Sequence, residues 1–227
     1  MVRIMLSISK LVKKTGHQIF TNIMSVVFCS IAWSLFVVPV VFILPIPGAM
    51  VFLFLTFIPA TVAVYSLMKR MLMHQRYKFG DFFRQFFYYF KRAFLFGILF
   101  WLAIIIPASS WWYYVTLNHG YMYFLFCIFQ TYLCITFLIS QVYTIPYLVM
   151  EDLHLLQAMN KSIKKFMSHT WYTIGFFMQI LCIAILLSFT VIGFFLLFIG
   201  ILTIFILNAT DNIELSEREY GNQQTAK

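Results

Sequence analysis

The chain has 227 residues, of which 63% are hydrophobic and 10% charged, with a mean hydropathy of +0.90 and a formal net charge of +9. A globular domain in water carries about 25% charged residues, so a water-facing surface is excluded for most of this chain. In a soluble protein such a basic balance would point to nucleic acid; here the basic residues follow a membrane threading, and no nucleic-acid partner is expected.

Residues 1–18 carry Arg3, Lys10, Lys13 and Lys14 and are expected to form a cytoplasmic amino-terminal segment. A helix needs roughly 20 apolar residues to cross about 30 Å of hydrocarbon. The first such run is Ile19–Leu44. It is too long for a secretory signal and no small-x-small cleavage site follows it, so it is expected to be retained. Gly48–Met68 supplies the second span.

Between spans two and three lie Lys69, Arg70, Arg76, Lys78, Arg84, Lys91 and Arg92. Within that connection Phe79, Phe82, Phe83, Phe86 and Phe90 recur at the spacing of one helical face, with Asp81, Arg84, Gln85, Tyr88 and Lys91 opposite. Asp81 near the helix start suits the positive end of the dipole. The spacing predicts an amphipathic helix near 79–92 in the cytoplasmic interface, in contact with membrane lipids including anionic headgroups. Asp81, Phe82, Phe83, Arg84, Phe86, Lys91 and Arg92 are its candidate lipid-interface or interaction residues. Two readings stay open: a lipid anchor, or a helix that docks on a partner protein.

Spans three and four are expected at Ala93–Val115 and Tyr121–Val149. Pro39, Pro59, Pro107 and Pro146 stand where they would kink or break four spans. On span four Gln130, Cys134, Phe137, Gln141 and Thr144 share a stripe, and Gln179 follows on span five. Such amides and hydroxyls either bond between helices or form the polar wall of a substrate cavity. A second amphipathic helix is expected near 153–168, with Leu156, Met159, Ile163 and Phe166 on its apolar stripe and Asp152 as its N-cap. Thr170–Leu207 is far too long for one crossing and is expected to split near Phe189–Gly193 into spans five and six. Residues 209–227 are expected to be a disordered cytoplasmic tail.

The fold class is therefore all-α: a polytopic helical membrane protein in which 19–208 form one transmembrane domain of six spans, with two cytoplasmic amphipathic interfacial helices. Five spans would place the tail outside. All 16 Lys and Arg residues fall on one side of the six-span threading, as do all 7 Asp and Glu residues. By the positive-inside rule both termini of this multi-pass protein are cytoplasmic.

No expected span contains an ionisable side chain of the kind that ion-coupled transport uses. The four cysteines lie singly in apolar runs, the five histidines lie at span ends or in connections, and no nucleophile is spaced to meet a base. No catalytic, cofactor-binding or metal site is expected, and the chain is not expected to be an enzyme. The least favoured alternative would use His154 near Glu151 and Asp152.

The run Ile58-Pro-Ala-Thr-Val-Ala-Val-Tyr65, its basic exit, and Tyr77-x-Phe79-x-Asp81-Phe82-Phe83-x-x-Phe86 with Phe90-Lys91 resemble the YesL-type family of bacterial integral membrane proteins, a domain of unknown function. Ile145-Pro-Tyr and the Leu153–Phe166 segment fit more loosely. Members often occur beside carbohydrate-uptake permeases in Gram-positive bacteria. The resemblance implies a bacterial plasma-membrane protein, non-enzymatic, with an accessory or regulatory role in carbohydrate uptake and a sugar permease complex as partner. It supplies no catalytic or binding residues. The alternative is a small solute transporter or channel in its own right, using the amide stripe.

Overall fold

The computed structural model describes residues 7–43, 45–75, 78–117 and 120–225. Arg3, Arg76, Tyr77 and Lys227 of the sequence reading lie outside them. The described residues form helices and no strand: α1 (Ile8–Thr21), α2 (Ile23–Ile43), α3 (Ile46–Leu72), α4 (Phe79–Leu117), α5 (Tyr121–Ser140), α6 (Thr144–Met150), α7 (Leu155–Ser168), α8 (Thr170–Ser188) and α9 (Val191–Thr225). Among the described residues five helices are long and apolar enough to cross a membrane, six when α1 and α2 count as one bent pair. The expected split of the last apolar run is present, at Phe189–Thr190.

The core is built on α3 and α9. In their most apolar 18-residue stretches 61% and 67% of residues are buried, against 6% in that of α5 and 11% in that of α8; the short α6 is buried at Thr144, Pro146, Tyr147, Leu148 and Val149. α2 packs on both, and the first half of α4 lies along α3. Small residues allow the close approaches. Gly97 on α4 faces Ile58 on α3, and Gly200 on α9 faces Val26 and Ser30 on α2. Polar bonds fix the register: the Gly200 N–H donates to Ser30 Oγ at 3.1 Å, Ser34 Oγ to the Phe195 carbonyl at 2.7 Å, and Trp33 Nε1 to Thr61 Oγ1 at 3.2 Å. In lipid each such bond contributes about 1 kcal/mol or less, so they set alignment more than stability.

The structure corrects several expectations, each for a local reason. The apolar run from Ile19 is not one straight helix: α1 ends at Thr21 and α2 begins at Ile23. Residues 8–21 form a helix of their own, bent by 85° from α2. Asn22 makes the elbow: its N–H and its side-chain amide both donate to the Gln18 carbonyl, while its own carbonyl accepts from Ser25 and Val26. One face of α1, with Leu11 and Thr15 buried, lies on α9, where the Asn208 side-chain NH2 donates to Thr15 Oγ1 and Gln18 Oε1. The apolar run from Ile19 onward conceals this bend.

The expected helix near 79–92 is present as the first turns of α4, continuous with span three. No proline interrupts it before Pro107. Its aromatic face turns inward: Phe82 and Phe86 are buried, and with Phe83 they gather around Phe36 of α2 at 5.3–5.7 Å between ring centres. Gln85, placed on the polar side from sequence, is also buried, as acceptor of a 3.0 Å bond from Ser66 Oγ. The backbone N–H of Lys78 donates to Asp81 Oδ2 at 2.8 Å, half of a capping box.

Pro59 and Pro107 sit inside continuous helices. Span four is the one that breaks, at 141–143, just before Pro146. A proline ring crowds the carbonyl four residues back and has no N–H to donate, which favours a break there without requiring one, as Pro59 and Pro107 show. Ser162 Oγ of α7 donates to the Ser140 carbonyl at 2.5 Å, so the broken end is satisfied by the neighbouring helix. The inward face of α7 is Ala158, Ser162 and Lys165, while Leu156, assigned to its apolar stripe from sequence, is exposed.

Asp152 does not cap α7. The N-cap position is His154, with no side-chain cap bond. Asp152 adopts φ 50°, a left-handed conformation that aspartate tolerates better than most residues. Nor is the tail disordered as far as it is described: α9 runs on to Thr225, with Ala209, Asn212 and Ile213 buried.

Candidate functional site

The basic residues gather at one end of the bundle, where two features stand out. The first is a cavity of about 390 Å3 between the end of α3, the start of α4 and the end of α6. Ser66, Lys69, Arg70 and Met73 of α3 line it, with Gln75 from the connection; α4 adds Arg84, Gln85, Tyr88 and Tyr89, and α6 adds Val149. Lys69 Nζ donates to the carbonyls of Val149 and Met150 at 3.0 and 3.2 Å. The last turn of a helix presents unpaired carbonyls and the negative end of its dipole, so α6 holds this ammonium in place. Among the described residues three cations line the cavity and no carboxylate does. Asp152, beyond the lining, is already engaged by Arg92 (Nη1–Oδ1 2.6 Å) and Tyr88 (3.3 Å).

The second feature is an ion-pair network tying α7 to α9. Lys161 Nζ lies 2.6 Å from Glu151 Oε1 and 3.0 Å from Glu214 Oε1, and 4.4 Å from the centre of the Tyr147 ring. Lys165, buried, pairs with Glu214 at 3.3 Å and with Glu217. His169 Nε2 lies 3.2 Å from Glu217 Oε1, and Tyr147 donates to Glu214 at 3.0 Å. Burial disfavours the Lys161 ammonium, but bonds to Glu151 and Glu214 outweigh it and hold its pKa above the usual lysine range. The sequence carries a signal for this network: Lys161, Lys165 and His169 recur every four residues and Glu214 and Glu217 are three apart, which puts each set on one helical face.

Of the residues singled out from sequence, Arg84 lines the cavity, Lys91 is exposed and Arg92 pairs with Asp152. The amide stripe does not converge. Gln141 is buried at the break of span four, accepting from Thr144 Oγ1 at 2.7 Å and donating to Ser140 Oγ at 3.4 Å. Gln179 on α8 is exposed. Gln130 Oε1 on α5 and Trp101 Nε1 on α4 are enclosed without a hydrogen-bond partner among the described residues. None of Gln130, Gln141, Thr144 and Gln179 lines the cavity. Lys69 and Gln85 carry no recognisable signal in sequence, because their role depends on α6 closing over them.

Among the described residues no three His, Cys, Asp or Glu side chains are grouped to hold a metal. Chemically, the cavity offers hydrogen-bond donors and positive charge. The chain is a polytopic helical membrane protein with a cationic cavity at the basic end. Comparison with family models, with curated proteins and with solved structures found no match.

Proposed function

We propose that this chain is a non-enzymatic accessory component of a bacterial plasma membrane, with its basic end in the cytoplasm, that assembles with a carbohydrate-uptake system. One observation carries the assembly reading. The outward-facing helices are scarcely covered by the chain itself: α5 buries only Cys127 and Ser140 and α8 only Thr173 and Phe176 among the described residues, which leaves long apolar faces for lipid or for a partner's helices. The sugar-uptake context rests on the resemblance of the Ile58–Phe90 region described above. What weighs against a solute path of its own is that Gln130, Gln141, Thr144 and Gln179 do not converge and lie apart from the cavity.

Extraction in a mild detergent, affinity purification and mass spectrometry are expected to recover permease subunits in fixed ratio to this chain. Recovery as a lone species would sink the reading. The orientation has its own check. A cysteine placed at Lys78, which is exposed, is expected to react with an impermeant thiol reagent only after lysis, whereas one at Gly120, also exposed, reacts in intact cells. The reverse pattern would invert the threading.

A further inference from the structure

We infer that the cavity at the end of α3 binds a phosphate group, either the headgroup of an anionic phospholipid or that of a soluble phosphate compound. This goes beyond the proposed assembly and does not depend on it. Arg70 and Arg84 face the cavity and have no carboxylate within ion-pair distance among the described residues. Elsewhere at this end Arg92, Lys161 and Lys165 are each paired. Lys69, Arg70 and Arg84 repel one another; Asp152 acts on Lys69 from beyond the lining but is paired with Arg92, and a multiply charged anion in the cavity relieves the repulsion that remains.

The floor adds a neutral donor to these charges. Gln85 is 7% exposed, and its Oε1 accepts from Ser66, which fixes the amide. Its NH2 group donates to no described residue, although the side chain lines the cavity. That NH2 group is not sealed from the cavity, so it offers a neutral donor to an anion held there. Lys69, fixed by two carbonyls, retains a third N–H. Guanidinium groups pair with phosphate oxygens in a bidentate fork, and an ammonium adds a point charge. The volume lies within the range of about 300–1,000 Å3 usual for small-ligand sites. Lys69 also directly follows the apolar run of α3, which brings the cavity to the depth where headgroups sit.

The test uses the full chain in nanodiscs, with two probes. Lipid retention is read by native mass spectrometry after incorporation with phosphatidylglycerol, and pyrophosphate is titrated by equilibrium dialysis in discs of phosphatidylcholine alone. Saturable retention of phosphatidylglycerol without pyrophosphate binding assigns the headgroup. Pyrophosphate binding, alone or with lipid, assigns a site open to soluble phosphate compounds. The variant R70Q/R84Q is expected to weaken whichever binding is seen by about tenfold or more. K91Q/K164Q removes the same charge from exposed positions outside the cavity and is expected to change it less than about twofold. Equal losses in the two variants overturn the proposal. So does a wild-type protein that binds neither probe saturably, a result that needs no variant to fold.

Discussion

Replacing Gly200 by leucine is expected to destabilise the bundle by about 3 kcal/mol or more, at the upper end of overpacking effects. A Cβ at this position would lie 2.7 Å from Val26 Cγ1, 2.8 Å from Ser30 Oγ and 2.9 Å from the Val26 carbonyl oxygen. The last contact is with backbone, which cannot rotate away, so α2 and α9 must separate and the Gly200–Ser30 bond is lost with them. Alanine should destabilise too. Its gain in helix propensity, up to about 1 kcal/mol, does not offset contacts this short. Gly16 on α1 is the internal control: a Cβ there would meet nothing within 4 Å, so Gly16→Ala should be neutral or stabilising. Thermal unfolding in detergent reads both, and a Gly200→Leu protein melting with the wild type would refute the α2–α9 packing.

The second large effect is expected from removing Glu214 and Glu217 together. Lys165 is enclosed, with 10% of its side chain exposed, and both its carboxylate partners come from α9. An uncompensated buried charge costs about 3–5 kcal/mol. Because 40% of the Glu217 side chain is exposed, solvent screening brings the E214A/E217A effect towards the low end. The loss should appear locally, as faster hydrogen exchange through 209–225 and α7 with the core of α3 still protected. Lys165→Met should cost much less. It removes the charge that needs compensation, leaves Glu214 with Lys161 and lets Glu217 turn to water. Equal damage from both changes would mean that packing, not charge, holds the end of α9.

These two sites differ in how far the sequence announces them. Gly200 lies in the run Phe-Ile-Gly-Ile-Leu, which reads only as a span; its requirement for glycine exists because Val26 of another helix lies opposite. Lys161, Lys165, Glu214 and Glu217 show their helical spacing in sequence, but which set meets which is fixed by the way α9 passes α7. The aromatic run after Phe79 has the expected helical phase and different surroundings. Periodicity identifies a face without saying what covers it, and Phe36 of α2, not lipid, meets Phe82 and Phe86. Gln85 reads as solvent-facing for the same reason, whereas Ser66 holds it inside. The bend at Asn22 is concealed because apolar residues stand on both sides of it.

By itself the sequence determined the all-helical class, the apolar segments long enough to cross a bilayer and the need for a break near Phe189–Gly193, because hydrocarbon thickness and uninterrupted hydrophobicity are properties of a segment alone. Only the tertiary structure decided that α3 and α9 form the centre, that α1 turns aside onto α9, and that Lys69, Arg70, Arg84 and Gln85 share one cavity. Those outcomes depend on which helices touch, and contact between distant segments is set by the shape and polarity of both partners at once.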